Sequence, residues 1–184
     1  KGVWERKYEL DSLAAFMRLS FGYYRETGDI SIFDKEWGSS LKKILVVMKK
    51  EQETLENINT RRLFRFVGPD GKPHPAFRLS GYGYPGRKCG LVRTVNRPSD
   101  DESVFPYLIS ANAMAIVGLR GISKILENSD RQNLSKKCLE LADTIHRGIH
   151  KFGVIDHEKF GEIFAYEVDG FGSCCLMDDP NVPS

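Results

Sequence analysis

Apolar residues recur along the first third of the chain at the three- and four-residue steps that put them on one face of a helix. Leu10, Leu13, Ala14, Met17, Phe21 and Tyr24 form one such stripe, which stops at the breaker Thr27-Gly28-Asp29. Asp34 is placed to cap a second helix with its stripe at Trp37, Leu41, Ile44, Leu45, Met48 and Leu55; Lys42, Lys43, Lys49 and Lys50 make its solvated side. A third helix is predicted over residues 99–128. Val104, Tyr107, Leu108, Ala111, Met114, Ala115, Ile116, Leu119 and Ile122 leave it apolar on nearly every face, so it should lie inside the protein. Pro106 falls in its early turns and should make them irregular. Ser129 with Gln132 reads as the capping box of a fourth helix, with its stripe at Leu134, Cys138, Leu141, Ile145 and Ile149 and with Gly153 as its C-cap.

Between the second and third helices the pattern changes. Residues 57–98 carry DGKPHP and GYGYPG, rich in glycine, proline and tyrosine; a short strand is expected over 62–67, then a long loop of the kind that often carries function. A second short strand is expected over 163–168. Helices joined by loops, without β-α-β alternation, predict an all-α architecture with short strands in the loops. No G-x-G-x-x-G follows a strand, so a dinucleotide site is not supported.

Composition narrows the function classes. The 184 residues are 41% hydrophobic and 28% charged with a net charge of +2, which is ordinary for a globular chain and gives no basic surplus for nucleic acid. No apolar run is expected to span a bilayer, and residues 1–10 lack the apolar core of a secretory signal. Cys89, Cys138, Cys174 and Cys175 contain no C-x-x-C pair for a zinc site. His146 and His150 have the i, i+4 spacing of metal ligands but no H-E-x-x-H, and histidines near a helix C-terminus are common without a metal.

The most informative stretch is RPSDDE (97–102), three acids at the predicted start of the third helix. Ser99 and Glu102 match a capping box, and Asp100 and Asp101 would complement the helix dipole. The competing reading makes one aspartate a general acid. That requires a raised pKa, which paired carboxylates in a closed site supply and a helix N-terminus opposes. Arg97 would then hold one aspartate ionised and leave the proton on the other. Gly81-Tyr82-Gly83-Tyr84-Pro85-Gly86 offers close backbone approach and flat rings with hydroxyls, a surface suited to sugars or an ordered turn packed by its own aromatics. YEVDGFG (166–172) and Asp178-Asp179 each read first as turns.

Five phrases in one order resemble the exo-α-1,6-mannosidases of glycoside hydrolase family 125. They are YELDSL (8–13), RPSDD (97–101), YLISAN (107–112), YEVDGFG (166–172) and MDDPNVPS (177–184). The resemblance implies an (α/α)6 barrel that removes terminal α-1,6-linked mannose from mannosides or N-glycans, inverting the anomeric centre, with no cofactor or metal. It implies an aspartate acid at Asp100 or Asp101, with slight preference for Asp100. The same reading assigns Arg97, Asn112, Asp11 and Asp169 to hydroxyl contacts or to orienting the acid, and Tyr82 and Tyr84 to the pocket mouth. An inverting pair stands about 6.5–9.5 Å apart, so neighbours on one turn cannot supply both acid and base. The family's base, a later glutamate, has no match here, nor has a Trp-Leu-Arg-Asp-Ser phrase expected before Tyr8. The chain is therefore read as part, roughly the middle, of one catalytic domain, inactive alone. Arg93 and Asn96 depart from the Trp and Phe usual in the family. The alternatives are a glycan-binding or scaffold domain of the same ancestry that does not cut, and a helical-hairpin protein in which every acid is a cap.

Overall fold

The first two helices start and stop where local chemistry says they should. A computed structural model describes residues 8–53, 65–73, 78–99, 101–127 and 129–177; Asp100, Leu55, most of the strand expected over 62–67, and Asp178-Asp179 lie outside them. Helix α1 (Leu10–Thr27) ends at Gly28, whose left-handed backbone (φ 67°) donates its N–H to Tyr24 O. Helix α2 (Lys35–Lys50) begins at Asp34, whose carboxylate accepts from Trp37 N at 2.8 Å. The four lysines of its outer face are exposed.

A single left-handed turn, α3 (Arg78–Gly81), holds Leu79 and Ser80 at φ 47° and 58°. Side chains with a Cβ reach this region at a cost of roughly 1–2 kcal/mol per residue. The turn is held in place by Phe66 N donating to Gly81 O at 2.8 Å.

The third helix is shorter than the sequence suggested. α4 runs Ile109–Leu126, preceded by the strand β1 (Tyr107–Leu108), and residues 99 and 101–106 are not helical. The apolar run 104–108 looks helical by composition, but Pro106 breaks it and β1 pairs with a later strand. Nor is the helix covered on every face: Ser110, Ala113, Val117, Arg120 and Lys124 form an exposed stripe. By length and composition α4 is apolar enough to cross a membrane, contrary to the sequence-based expectation, yet most of it is buried in the protein. α1 packs on one side of it and α5 (Gln132–Gly148) on the other.

The capping box expected at Ser129 and Gln132 does not form. Ser129 Oγ donates to Leu126 O and accepts from Arg131 N, closing the inter-helix turn, and α5 opens without a side-chain cap. α5 widens into a π turn (Ile149–Gly153), so Gly153, predicted as the C-cap, is instead the last residue of that turn and leads into β2 (Val154–His157). β2 pairs antiparallel with β3 (Gly161–Phe164); β4 (Glu167–Val168) lies between β1 and β5 (Cys174–Cys175) in a second antiparallel sheet. The strand expected over 163–168 is thus the end of one strand and the start of another. The four cysteines are free thiols.

One core joins these layers: Leu10, Ala14 and Met17 of α1, Leu41 and Met48 of α2, Leu119 and Ile122 of α4, and Leu141 and Ile145 of α5. Glycines set the α1–α4 spacing. A Cβ on Gly118 would stand 2.9 Å from Met17 Cβ, and one on Gly121 would stand 2.5 Å from Phe21 Cγ. Gly22 of α1, by contrast, faces open space. We expect Gly121→Ala to cost about 1–3 kcal/mol by overpacking. Gly22→Ala should instead stabilise by about 0.5–1 kcal/mol through helix propensity and unfolded-state entropy. Thermal melts of the two variants check this; equal shifts of the same sign would exclude glycine-set spacing.

Candidate active site

The RPSDDE stretch is the tip of a hairpin, not the start of a helix. Ser103 N donates to Val95 O at 2.9 Å, Asn96 bridges Glu102, and Arg97 N donates to Asp101 O at 2.9 Å. The capping box proposed for Ser99 and Glu102 therefore does not exist. Ser99 Oγ donates to Asp101 Oδ2 at 2.9 Å, and both residues are exposed. Glu102 points the other way: its Oε1 accepts from Arg78 N at 2.6 Å, and its Oε2 lies 3.7 Å from Arg78 Nε. The S-x-x-E spacing matched a cap, but the backbone turns back before a helix can form. Asp101 thus stands at a hairpin tip and not at a helix N-terminus.

Beneath the turn lies a buried ion pair. Arg97 and Glu167 have side-chain exposures of 2% and 0%, and Arg97 Nε donates to Glu167 Oε1 at 2.7 Å. The second oxygen, Glu167 Oε2, accepts from Phe105 N at 3.0 Å. The Arg97 guanidinium carbon also sits 5.4 Å from the centre of the Tyr166 ring, a cation–π contact. Glu167 was not singled out from the sequence. Its signal was an acid flanked by Tyr166 and Val168 in a predicted strand, a place where a charge needs a partner.

A second buried pair fixes the approach to the turn. Arg93 and Glu51 are 3% and 2% exposed with Nε and Oε2 2.8 Å apart, Arg93 N donates to Glu51 O, and Arg93 Nη1 donates to Tyr82 O at 2.7 Å. Tyr8 is buried close by; burial, then the Glu51 charge, pushes its hydroxyl pKa well above the usual tyrosine value. The departure at Arg93 is therefore a cation matched by the C-cap residue of α2. Asn96 is likewise buried, within the hairpin.

The remaining site residues predicted from sequence occupy distinct places. Asn112 is fully buried, and its amide is spent on backbone: Oδ1 accepts from Val92 N, and Nδ2 donates to Val92 O and Leu108 O, each at 2.9 Å. Asp169 Oδ1 accepts from the backbone N–H groups of Phe171, Gly172 and Ser173 at 2.7–3.1 Å. Burial alone would raise the Asp169 carboxyl, but hydrogen bonds from Ser173, Phe171 and Gly172 outweigh it and hold it below the usual range. Tyr84 stacks under Arg78, with the guanidinium carbon 4.8 Å from its ring centre. Tyr82, half-buried, shares the loop with it. Asp11, half-buried in the first turn of α1, is near enough to Tyr8 to act on its hydroxyl.

The loop between Tyr84 and Cys89 runs across this floor. Arg87 N donates to Asp169 O, and Tyr107 Oη donates to Arg87 O at 2.9 Å. A Cβ on Gly86 would come within 2.5 Å of Pro106 Cγ, so only glycine lets the loop pass. The structure thus gathers RPSDDE, the tyrosine loop, β4 and the Asp169 turn around one hairpin. His146 and His150 stand elsewhere, at the end of α5, with ring centres 4.4 Å apart. Among the described residues, no group of three or more His, Cys, Asp and Glu side chains is placed to hold a metal ion.

Asp169→Ala should cost about 1–3 kcal/mol at pH 7 by stranding the three N–H donors. Because the folded pKa is depressed, the charge-dependent part of this contribution is present above the ordinary aspartate value of about 3.9 and is lost as pH falls through the folded value. Urea unfolding at pH 7, 5 and 3 should show wild type and variant converging toward acid. A gap that widens there would contradict the assignment.

Comparison with known proteins agrees with this arrangement. The chain is 38% identical over 187 residues to the meiotically up-regulated gene 157 protein of Schizosaccharomyces pombe, a match covering 99% of this chain and 37% of that protein. It superposes with a TM-score of 0.83 and 34% identity on a solved Streptococcus pneumoniae structure, covering 98% of this chain and 42% of that one. That structure is described as a metal-independent alpha mannosidase in a non-productive substrate complex with alpha-1,6-mannobiose. The chain thus spans about two-fifths of the length of these relatives. The model of the metal-independent alpha-mannosidase family, glycoside hydrolase family 125, matches residues 1–184, and the chain belongs to that family.

Proposed function

We propose that this chain is part of the catalytic domain of an exo-acting α-1,6-mannosidase that hydrolyses terminal mannose of mannosides or N-glycans with inversion. The carrying observation is the RPSDD turn, exposed at its tip and pinned from below by a buried ion pair, in a chain that matches the family from end to end. The helices packed about α4 suit an (α/α)6 barrel completed by further hairpins, and a mannose-containing oligosaccharide suits the aromatic and polar loop beside the turn.

In this reading Asp100 or Asp101 protonates the leaving oxygen, and a glutamate outside the 184 residues activates the water on the opposite face of the sugar. Tyr82 and Tyr84 line the mouth, and Asp11 contributes from α1. The bonding of Arg97, Asn112 and Asp169 supports orientation of the site more than contact with hydroxyls: each is engaged by partners within the chain. A second reading, in which the domain holds glycan without cutting it, uses the same loops and lacks a working base.

Release of mannose from α-1,6-mannobiose by the full-length protein separates the two. We expect Asp100→Asn or Asp101→Asn to reduce kcat by about 10²-fold or more, the scale of a lost general acid. Full activity in both variants would remove the acid from this turn. A thermal shift with mannobiose but no mannose released would support the binding reading. The 184-residue chain alone should release no mannose, because the base and much of the barrel would be missing.

A further inference from the structure

We infer that Glu167 is a positioning residue for the proposed proton transfer, clamping both legs of the turn that carries Asp100 and Asp101. The inference rests on the reading above and gives a role to a residue which that reading leaves unassigned.

The geometry is specific. Glu167 has no exposure, and its two oxygens take different partners: Arg97 Nε on the ascending leg and Phe105 N on the descending leg. The carboxylate thus ties positions 97 and 105 to one point, and the aspartates lie between them. That point does not move easily. β4 is the middle strand of its sheet, with Glu167 opposite Leu108 of β1 and Cys175 of β5. The Tyr166 ring covers the guanidinium from the same strand. A carboxylate that only balanced charge could sit anywhere near Arg97; this one also takes the Phe105 N–H, a bond that a neutral turn would equally require.

The charge has its own consequence. Glu167 neutralises Arg97, three and four residues before the aspartates. An unmatched guanidinium there would favour the ionised aspartate and drain the proton the acid must deliver. Among the described residues, Cys175 of β5 lies opposite Glu167 and feels both charges, while Asp101 and Glu102 stand on the turn itself, Glu102 paired with Arg78. Burial, and then the Glu167 charge, push the Cys175 thiol up.

The test uses the full-length protein with α-1,6-mannobiose. Glu167→Gln keeps shape and removes charge. It should lower kcat at least about tenfold, leave KM within about threefold, and move the alkaline limb of kcat/KM to lower pH by about half a unit or more. A folded E167Q protein with wild-type kcat and an unmoved limb overturns the inference. Should E167Q not fold, the double variant R97M/E167Q, which removes both charges, decides. Its kcat should stay reduced while its limb returns to the wild-type position, and a wild-type kcat overturns the inference. Absence of mannose release by the wild type would instead sink the functional reading. Amide exchange then judges the clamp: tenfold faster exchange at Arg97 and Phe105 in E167Q supports it, and unchanged exchange overturns it.

Discussion

A carboxylate with no exposure is tolerated only if its charge and both its oxygens are satisfied, and the arrangement around Glu167 follows from that requirement. Arg97 supplies the charge and one hydrogen bond, and Phe105 N supplies the other. Removing one member of such a pair strands the other and typically costs about 3–5 kcal/mol. The pair is therefore a strong constraint on geometry even where its net contribution to stability is small. What it constrains is the short hairpin whose tip presents the acids. Hydrophobic packing could have held the same segment in place, but it has no direction; two hydrogen bonds from one carboxylate do.

The platform for this constraint is α4. Its N-terminal turn carries Asn112, whose amide grips Val92 on both its N–H and its C=O as a neighbouring strand would. Further along, Gly118 and Gly121 let α1 approach until side chains meet backbone, so α1 and α4 behave as one layer. The site loop thus hangs from three points: the C-cap of α2 through Glu51–Arg93, α4 through Asn112–Val92, and β4 through Glu167–Arg97. Each is buried, and each uses a polar group whose alternative partner, water, is excluded.

How much of this was legible depended on how local the cause was. α1, α2 and their caps at Gly28 and Asp34 could be read because each depends on residues within one turn. The cores of the third and fourth helices could also be read, since period alone specifies them. Their beginnings could not. S-x-x-E at 99–102 and S-x-x-Q at 129–132 are the right letters for a capping box, but both segments are turned by competing bonds: Ser103 to Val95 in one, and Ser129 back to Leu126 in the other. The family was recognisable from short phrases in order, and three of them, RPSDD, YLISAN and YEVDGFG, do meet at one hairpin and its sheet. Their bonding was not recognisable. Arg97 and Glu167 are separated by 70 positions, and no spacing rule joins them. Asn112, read as a sugar or orienting contact, proved to have its amide committed to the backbone, which only the position of Val92 could reveal.

The loop's anchors also differ in how they meet their surroundings. Lys88 and Glu53 form an ion pair on the surface, 2.6 Å apart and about half exposed, where dissolved salt screens the attraction. The Arg93–Glu51 and Arg97–Glu167 pairs are out of reach of mobile ions. A rise in ionic strength would therefore loosen the rim and leave the acid-bearing turn in register. The acid-bearing turn thus owes its shape to charges the solvent cannot touch, and the medium outside can vary widely without changing it.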